Sequence, residues 1–110
     1  MILEAADLIV EPERADAFEA AFRRASPLIA VSPGYLGHEL QRCLETPGRY
    51  LPLVRWERLE DHTVGFRGSP AYGEWKDLLH GFYDPFPVVE HFRAVDLADP
   101  AADRPVGDAP

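Results

Sequence analysis

Histidine is the residue type in this sequence best suited to acid–base chemistry, and four histidines are spread along the chain. His62 follows an acidic stretch and lies one helical turn before Phe66, at the start of a predicted helix that faces a sheet. A neutral imidazole, with an ordinary pKa of about 6.5, can accept a proton from a weakly acidic hydroxyl group. His62 is therefore the candidate catalytic base. The alternative is a helix-start histidine that bonds a backbone group or a neighbouring subunit.

Arg67 and the other three histidines are the remaining polar candidates. Arg67 is a catalytic candidate because its charge could stabilise a phenolate or superoxide, although an exposed arginine at a helix end is the structural alternative. His38 and His91 fall on predicted strands, where each could line a pocket or serve the structure alone. His80 lies on the second predicted covering helix and is a further candidate for the pocket. Neither the histidines nor the carboxylates have the tight spacing of metal ligands, so no metal site is predicted.

Aromatic side chains are concentrated in the second half of the chain. Such a group suits stacking on a planar ring ligand, although aromatic stripes most often form a core, as we expect for Trp75 and Phe82. Tyr72 and Tyr83 carry hydroxyl groups that could line a cavity. The predicted substrate-binding set joins aromatic residues and histidines: Trp56, Phe66, Tyr72, Trp75, His80, Tyr83, His38 and His91.

The bulk composition limits the classes of function. With 110 residues and 46% hydrophobic content, the chain should form one globular domain. A net charge of -8 without clustered Lys and Arg excludes a nucleic-acid partner. The lone Cys43 suits a reducing compartment, and no apolar stretch approaches the roughly 20 residues of a membrane span. We therefore expect a soluble cytoplasmic protein with no membrane partner.

The elements that position these residues follow from hydrophobic periodicity. Residues 2–10 are short and apolar and predict a first strand, and Pro12 opens an amphipathic helix. Ser26-Pro27 predicts a break there, followed by a second short helical piece. A second strand should run over residues 35–44, with Leu36, His38 and Leu40 on one face and Tyr35 on the other.

The second half of the sequence predicts two more strands with helices between them. Residues 49–57 predict a third strand, which Pro52 should confine to a sheet edge or distort with a bulge. A short helix around His62 and a second covering helix from Ser69-Pro70 follow, and residues 88–95 predict a fourth strand. The order is βαββαβ, an α+β fold of the ferredoxin-like type with a four-stranded antiparallel sheet. Residues 1–95 form the predicted domain, and residues 96–110 a tail rich in Pro, Ala and Asp.

The strands lack the apolar–polar alternation of a sheet with one wet face. Leu3, Ala5 and Ile9 alternate with other apolar residues, and so do Leu51 and Leu53. Two helices cover only one face, so the second apolar face predicts a homodimer. Partial cover by the tail is the alternative.

Three motifs, by their order and spacing, resemble the antibiotic biosynthesis monooxygenase family of dimeric α+β barrels. They are GYLG at residues 34–37, WERLEDH at residues 56–62 and SPAY at residues 69–72. The resemblance spans residues 1 to about 95. It implies that two sheets face each other as a dimeric barrel and that each subunit holds a pocket between its sheet and helices. Known members include cofactor-free oxygenases of quinols and aromatic polyketides, and haem-degrading enzymes.

Two departures narrow what the resemblance implies. The sequence has no asparagine, which characterised members commonly use as a hydrogen-bonding group in the pocket. Haem degraders need an axial histidine on the second helix, and the comparable residues 74–76 are EWK, with His80 one turn later. We therefore expect no cofactor, haem included. The predicted function is cofactor-independent oxidation of a quinol or polyketide-like aromatic substrate by O2; the alternative is a noncatalytic binding module of the same fold.

Overall fold

The computed structural model describes residues 1–98, in which two helices pack on one face of an antiparallel sheet. A 3-10 turn, Pro12–Arg14, precedes the first helix, and a π-helical segment, Asp61–Phe66, precedes the second. The strands and helices are β1 (Ile2–Ala5), β2 (Leu8–Ile9), α1 (Ala15–Ala30), β3 (Tyr35–Arg42), β4 (Arg49–Trp56), α2 (Pro70–Leu79) and β5 (Glu90–Phe92). The α+β, ferredoxin-like prediction is confirmed.

β4 is the centre of the sheet. It pairs with β1 and β2 on one side and with β3 on the other, and β1 also pairs with β5. Over the described residues the sheet has five strands rather than the four predicted, because the first strand is interrupted after Ala5.

Pro52 explains this interruption. Of the two alternatives predicted from Pro52, an edge position or a local irregularity, the edge position is wrong because β4 has a neighbour on both sides. The predicted irregularity is present, but it lies in the partner strand. Ala6 donates to the Pro52 carbonyl at 3.4 Å, and Pro52 has no N–H to return the bond. One ladder hydrogen bond is lost, while Leu8 still pairs with Tyr50 in an unchanged register.

The break predicted at Ser26-Pro27 was also wrong. α1 continues through Pro27, and Ser26 Oγ donates to the Phe22 carbonyl at 2.9 Å instead of capping a new helix. Pro27 is exposed, so the backbone hydrogen bond that its ring removes lies on the solvent side of α1, and the packed face of the helix is undisturbed. That face buries Phe18, Ala21, Phe22, Ala25 and Ile29.

A bulge near the start of β3 changes which side chains share a face. Tyr35 pairs with Trp56 and Gly37 with Arg55, so Leu36 is an extra residue in the ladder. The prediction that Tyr35 faces away from His38 was therefore wrong. Their side chains are hydrogen bonded on the helix-covered face.

The remaining elements lie where they were predicted, with shorter limits. α2 begins after Ser69, and the helix around His62 is π-helical. The fourth strand, predicted over residues 88–95, has only three residues in β5. Most of the predicted tail, residues 99–110, lies outside the described residues.

The sheet face opposite the helices is apolar and open in the single chain. Ile9 is 48% exposed, Leu51 38% and Phe92 51%, and Leu3 and Leu53 contribute to the same surface. The predicted homodimer, which would cover this face, stays a prediction. Within residues 1–98, no helix has both the length and the hydropathy needed to cross a bilayer.

Candidate functional site

A cavity lies between the helix-covered face of the sheet and the two helices. Its volume is about 60 Å³. Two of its lining residues, Arg67 and Phe86, are exposed, which places its mouth beside them. The apolar wall includes Phe22, Val54, Phe66, Trp75, Leu79, Phe86 and Val89, and the polar lining is Glu4, His62, Arg67, Tyr72, His80 and Tyr83.

The π-helical segment places His62 in the lining of this cavity. The N–H of Arg67 donates to the His62 carbonyl at 3.1 Å, an i→i+5 bond that widens the turn. Asp61 anchors the start of the segment by accepting the Arg58 N–H at 3.0 Å. The His62 ring stacks on Trp56 at 5.7 Å with 21° between the planes, and its side chain is only 3% exposed. Short π-helical segments are rare, and they are frequently found at functional sites, where they can position a side chain in this way.

Three polar side chains surround the His62 ring. Nδ1 lies 2.8 Å from Nε2 of His91, and Nε2 lies 3.3 Å from Nε of Arg67 and 3.5 Å from Oε1 of Glu4. A guanidinium can only donate, so Nε2 of His62 must accept from Arg67 and Nδ1 must carry the proton. The lone pair of the neutral ring is therefore at Nε2, where it accepts from Arg67 and lies near Glu4.

His62 is kept neutral by its surroundings. Burial is the largest cause, and the charges of Arg67 and His91 add to it, so the pKa of His62 falls to about 4. At physiological pH the ring is an acceptor rather than a cation. The pKa of His91 is also lowered, first by burial and then by Arg67.

Glu4 is the functional side chain that was not predicted. It lies in β1 in phase with the buried residues Ile2 and Ala6, and it accepts a hydrogen bond from Trp56 Nε1 at 2.9 Å. Burial raises the pKa of Glu4, against the lowering effects of the Trp56 bond and Arg67. The available signal was a single carboxylate on the inward phase of an otherwise apolar strand.

The outer part of the cavity is aromatic. Tyr72 and Trp75 both pack edge-on against Phe66, with ring centroids 5.5 and 5.7 Å apart. His80 lies 5.6 Å from the Tyr83 ring. Burial lowers the pKa of His80, with smaller effects from Lys76 and Arg67, and burial raises the pKa of Tyr83, with a smaller effect from Tyr72.

The predicted site residues separate into two groups. Those that line the cavity are His62, Arg67, Phe66, Tyr72, Trp75, His80 and Tyr83; Trp56 and His91 contact His62 from behind the lining.

His38 lies elsewhere, outside the lining of this cavity. Its Nε2 is 2.8 Å from Ser26 Oγ, and its Nδ1 is bonded to the Tyr35 hydroxyl, so both ring nitrogens have partners within the fold. Burial lowers the pKa of His38. Over residues 1–98, no group of three or more His, Cys, Asp or Glu side chains is arranged to hold a metal ion.

Comparison with known proteins gives a consistent family. The family model described as antibiotic biosynthesis monooxygenase matches residues 1–78. YczJ of Bacillus subtilis, an uncharacterised protein, is 55% identical over 95 residues, which cover 86% of this chain and 100% of YczJ.

Solved structures with the same fold agree. A candidate antibiotic biosynthesis monooxygenase from Bordetella bronchiseptica has a TM-score of 0.81 at 37% identity, covering 86% of this chain and 96% of that one. SnoaB, a cofactor-independent oxygenase from Streptomyces nogalater, has a TM-score of 0.71 at 19% identity, covering 84% of this chain and 91% of SnoaB. The second likeness is one of fold alone. The chain belongs to the antibiotic biosynthesis monooxygenase family.

Proposed function

We propose that this protein is a cofactor-independent monooxygenase that oxidises a quinol or polyketide-like aromatic substrate with O2. The observation that carries the proposal is a buried, neutral histidine, His62, beside the cation Arg67 in the lining of a largely aromatic cavity. The family and the oxygenase named among the neighbours of the same fold support it.

The first step is removal of a proton. The substrate hydroxyl displaces the Arg67 N–H from the Nε2 lone pair of His62 and gives its proton to that lone pair, which leaves a phenolate in the cavity. The phenolate passes one electron to O2 far more readily than the neutral phenol does. Arg67, released from His62, donates to the phenolate oxygen and stabilises the developing negative charge.

The later steps complete the electron and proton balance of the reaction. The substrate radical and superoxide combine to form a C–O bond at a ring carbon that bears hydrogen. Loss of the C–H proton and cleavage of the O–O bond then leave a carbonyl at that carbon and release the second oxygen as water. The substrate loses four electrons and O2 gains four, so no external reductant is needed.

The cavity must widen to admit such a substrate. Its volume of about 60 Å³ is below the range of about 300 to 1,000 Å³ that is typical of ligand pockets. The part of the wall formed by Phe86 and Val89 belongs to the connection between α2 and β5, outside any helix or strand. We propose that this wall moves outward when the substrate enters.

We also propose that two copies pair through the apolar sheet face and that the protein works in the cytoplasm. The exposure of Ile9, Leu51 and Phe92 supports the pairing, and the lone Cys43 suits a reducing compartment.

Oxygen uptake tests the enzymatic proposal. The purified, dialysed protein is assayed with a panel of quinols and anthrones, with and without a chelator, next to His62→Gln and His38→Gln. Saturable uptake that the chelator does not change, that falls about 100-fold in His62→Gln and that stays constant in His38→Gln supports the mechanism. Uptake no faster than the uncatalysed rate contradicts it and leaves the noncatalytic binding module.

A further inference from the structure

The hydrogen bonds around His62 form a chain with one direction. Arg67 Nε donates to His62 Nε2 at 3.3 Å, and His62 Nδ1 then donates to His91 Nε2 at 2.8 Å. The second bond requires His91 Nε2 to be an acceptor, so the proton of the neutral His91 ring is on Nδ1. Two imidazoles are thus joined in the same tautomeric form, each able to take a proton at Nε2 and release one from Nδ1.

His91 connects this chain to the surface. It lies in β5, which over residues 1–98 pairs only with β1 and so forms an edge of the described sheet. Its side chain is half-buried, whereas that of His62 is 3% exposed. Within the described part of the chain, Nδ1 of His91 has no hydrogen-bond partner. This nitrogen is therefore the outer end of the series of hydrogen bonds that starts at Arg67.

We propose that His91 is the outer member of a two-histidine proton relay that connects the base His62 with solvent. The relay rests on the function proposed above. In the outward direction, His62 takes the substrate proton at Nε2 and passes its Nδ1 proton to Nε2 of His91. His91 then releases its own Nδ1 proton to water. In the return direction the same bonds deliver a proton for O–O cleavage, so the complete reaction exchanges protons with solvent without net release.

The charges beside His62 and His91 favour moving the extra proton away from His62. With a pKa of about 4, His62 holds the extra proton in only about one molecule in a thousand at pH 7. Arg67 opposes an imidazolium on either ring, while Glu4 of β1, 3.5 Å from His62, favours one. A proton that moves through His91 to water does not have to remain beside Arg67 while the phenolate reacts with O2.

Two substitutions at His91 separate a relay from a positioning role. His91→Gln retains an acceptor for the His62 Nδ1 proton but cannot pass a proton on, and His91→Ala removes the side chain and leaves space for added imidazole. Oxygen uptake is measured for both in a low concentration of a bulky buffer, with and without imidazole at constant ionic strength. His38→Ala, which alters a histidine outside the cavity, is the matched control.

The relay predicts that both His91 variants lose about 100-fold in kcat, that imidazole restores His91→Ala in a saturable manner, and that wild type and the His38 variant do not respond. Full activity in His91→Gln, or no restoration of His91→Ala, overturns the proposal. If the wild-type protein takes up no oxygen, the proposed function has failed. Nitrogen-15 NMR of the two rings then decides the proton path: Nδ1–H on both supports it, and Nε2–H on His62 overturns it.

Discussion

Acidification should destabilise this fold through His62, and the size of the effect can be worked out from its surroundings. In the folded chain the ring is buried beside Arg67 and His91, which lowers its pKa from 6.5 to about 4. The unfolded chain binds the proton more tightly, so protons favour unfolding. The stability is fully present above pH 6.5 and is lost as the pH falls toward 4. At about 1.4 kcal/mol for each pH unit in this interval, the loss is about 3 kcal/mol.

Other groups add to the total and must be separated from His62. His38, His80 and His91 also have lowered pKa values, so their contributions have the same sign. Glu4 acts in the opposite direction, because a carboxyl whose folded pKa is raised stabilises the fold as the pH falls. The difference between wild type and His62→Gln removes these shared contributions.

The assay is urea denaturation at pH 7, 6, 5 and 4.5, at fixed protein concentration and ionic strength, followed by tryptophan fluorescence. Trp56 stacks on His62 in the folded state, so a change in tryptophan fluorescence reports the loss of the folded state. The variant should show a smaller fall in the free energy of unfolding, and extrapolation to pH 4 should give the difference of about 3 kcal/mol. Since whole domains are stable by only about 5 to 15 kcal/mol, the effect is easily measured. Equal pH slopes in the two proteins would refute the argument that His62 is buried and neutral.

Two further predictions concern the turn before β3 and the open sheet face. Gly34→Ala should destabilise the fold by about 2 kcal/mol, because φ is +82° there and an added Cβ would lie 2.1 Å from Asp61 Oδ2. Gly73→Ala, with nothing within 4 Å of its added Cβ, should stabilise it by up to about 1 kcal/mol; thermal unfolding checks both signs. Sedimentation equilibrium should give a dimer that Leu51→Glu converts to monomer and that Val64→Glu, on an exposed side chain outside the strands, leaves intact. A monomeric wild type would contradict the pairing.

The order of the elements was predictable because it depends on periodicity. The three- and four-residue spacing of Phe18, Phe22 and Ala25 predicts α1, and short, largely apolar runs predict strands such as β4. The errors come from features whose cost depends on the neighbours. Pro27 stays in the helix because its lost bond faces solvent, and Pro52 stays in the central strand because it removes only one ladder bond.

The candidate site was predictable in its residue types more than in its connections. His62, Arg67 and the aromatic lining were identified because an imidazole can act as a base, a guanidinium can stabilise an anion and aromatic rings can stack on a planar ligand. The His62–His91 bond joins residues 29 positions apart, and it depends on β5 pairing with β1. Glu4 was overlooked because an isolated carboxylate in a strand is ordinary until Trp56 is known to bond it. Such contacts are properties of strand register, which local sequence patterns do not specify.

The π-helical segment also affects how relatives should be aligned. Its i→i+5 bond from Arg67 to His62 accommodates one residue more per turn than an α-helix. A homologue with a one-residue gap between these positions could align a histidine with His62 and still form an ordinary α-turn. That histidine would be rotated by about 100° around the helix axis and would no longer face the cavity. In this family, the count of residues between the histidine and the arginine is therefore a better indicator of a shared site than the aligned histidine alone.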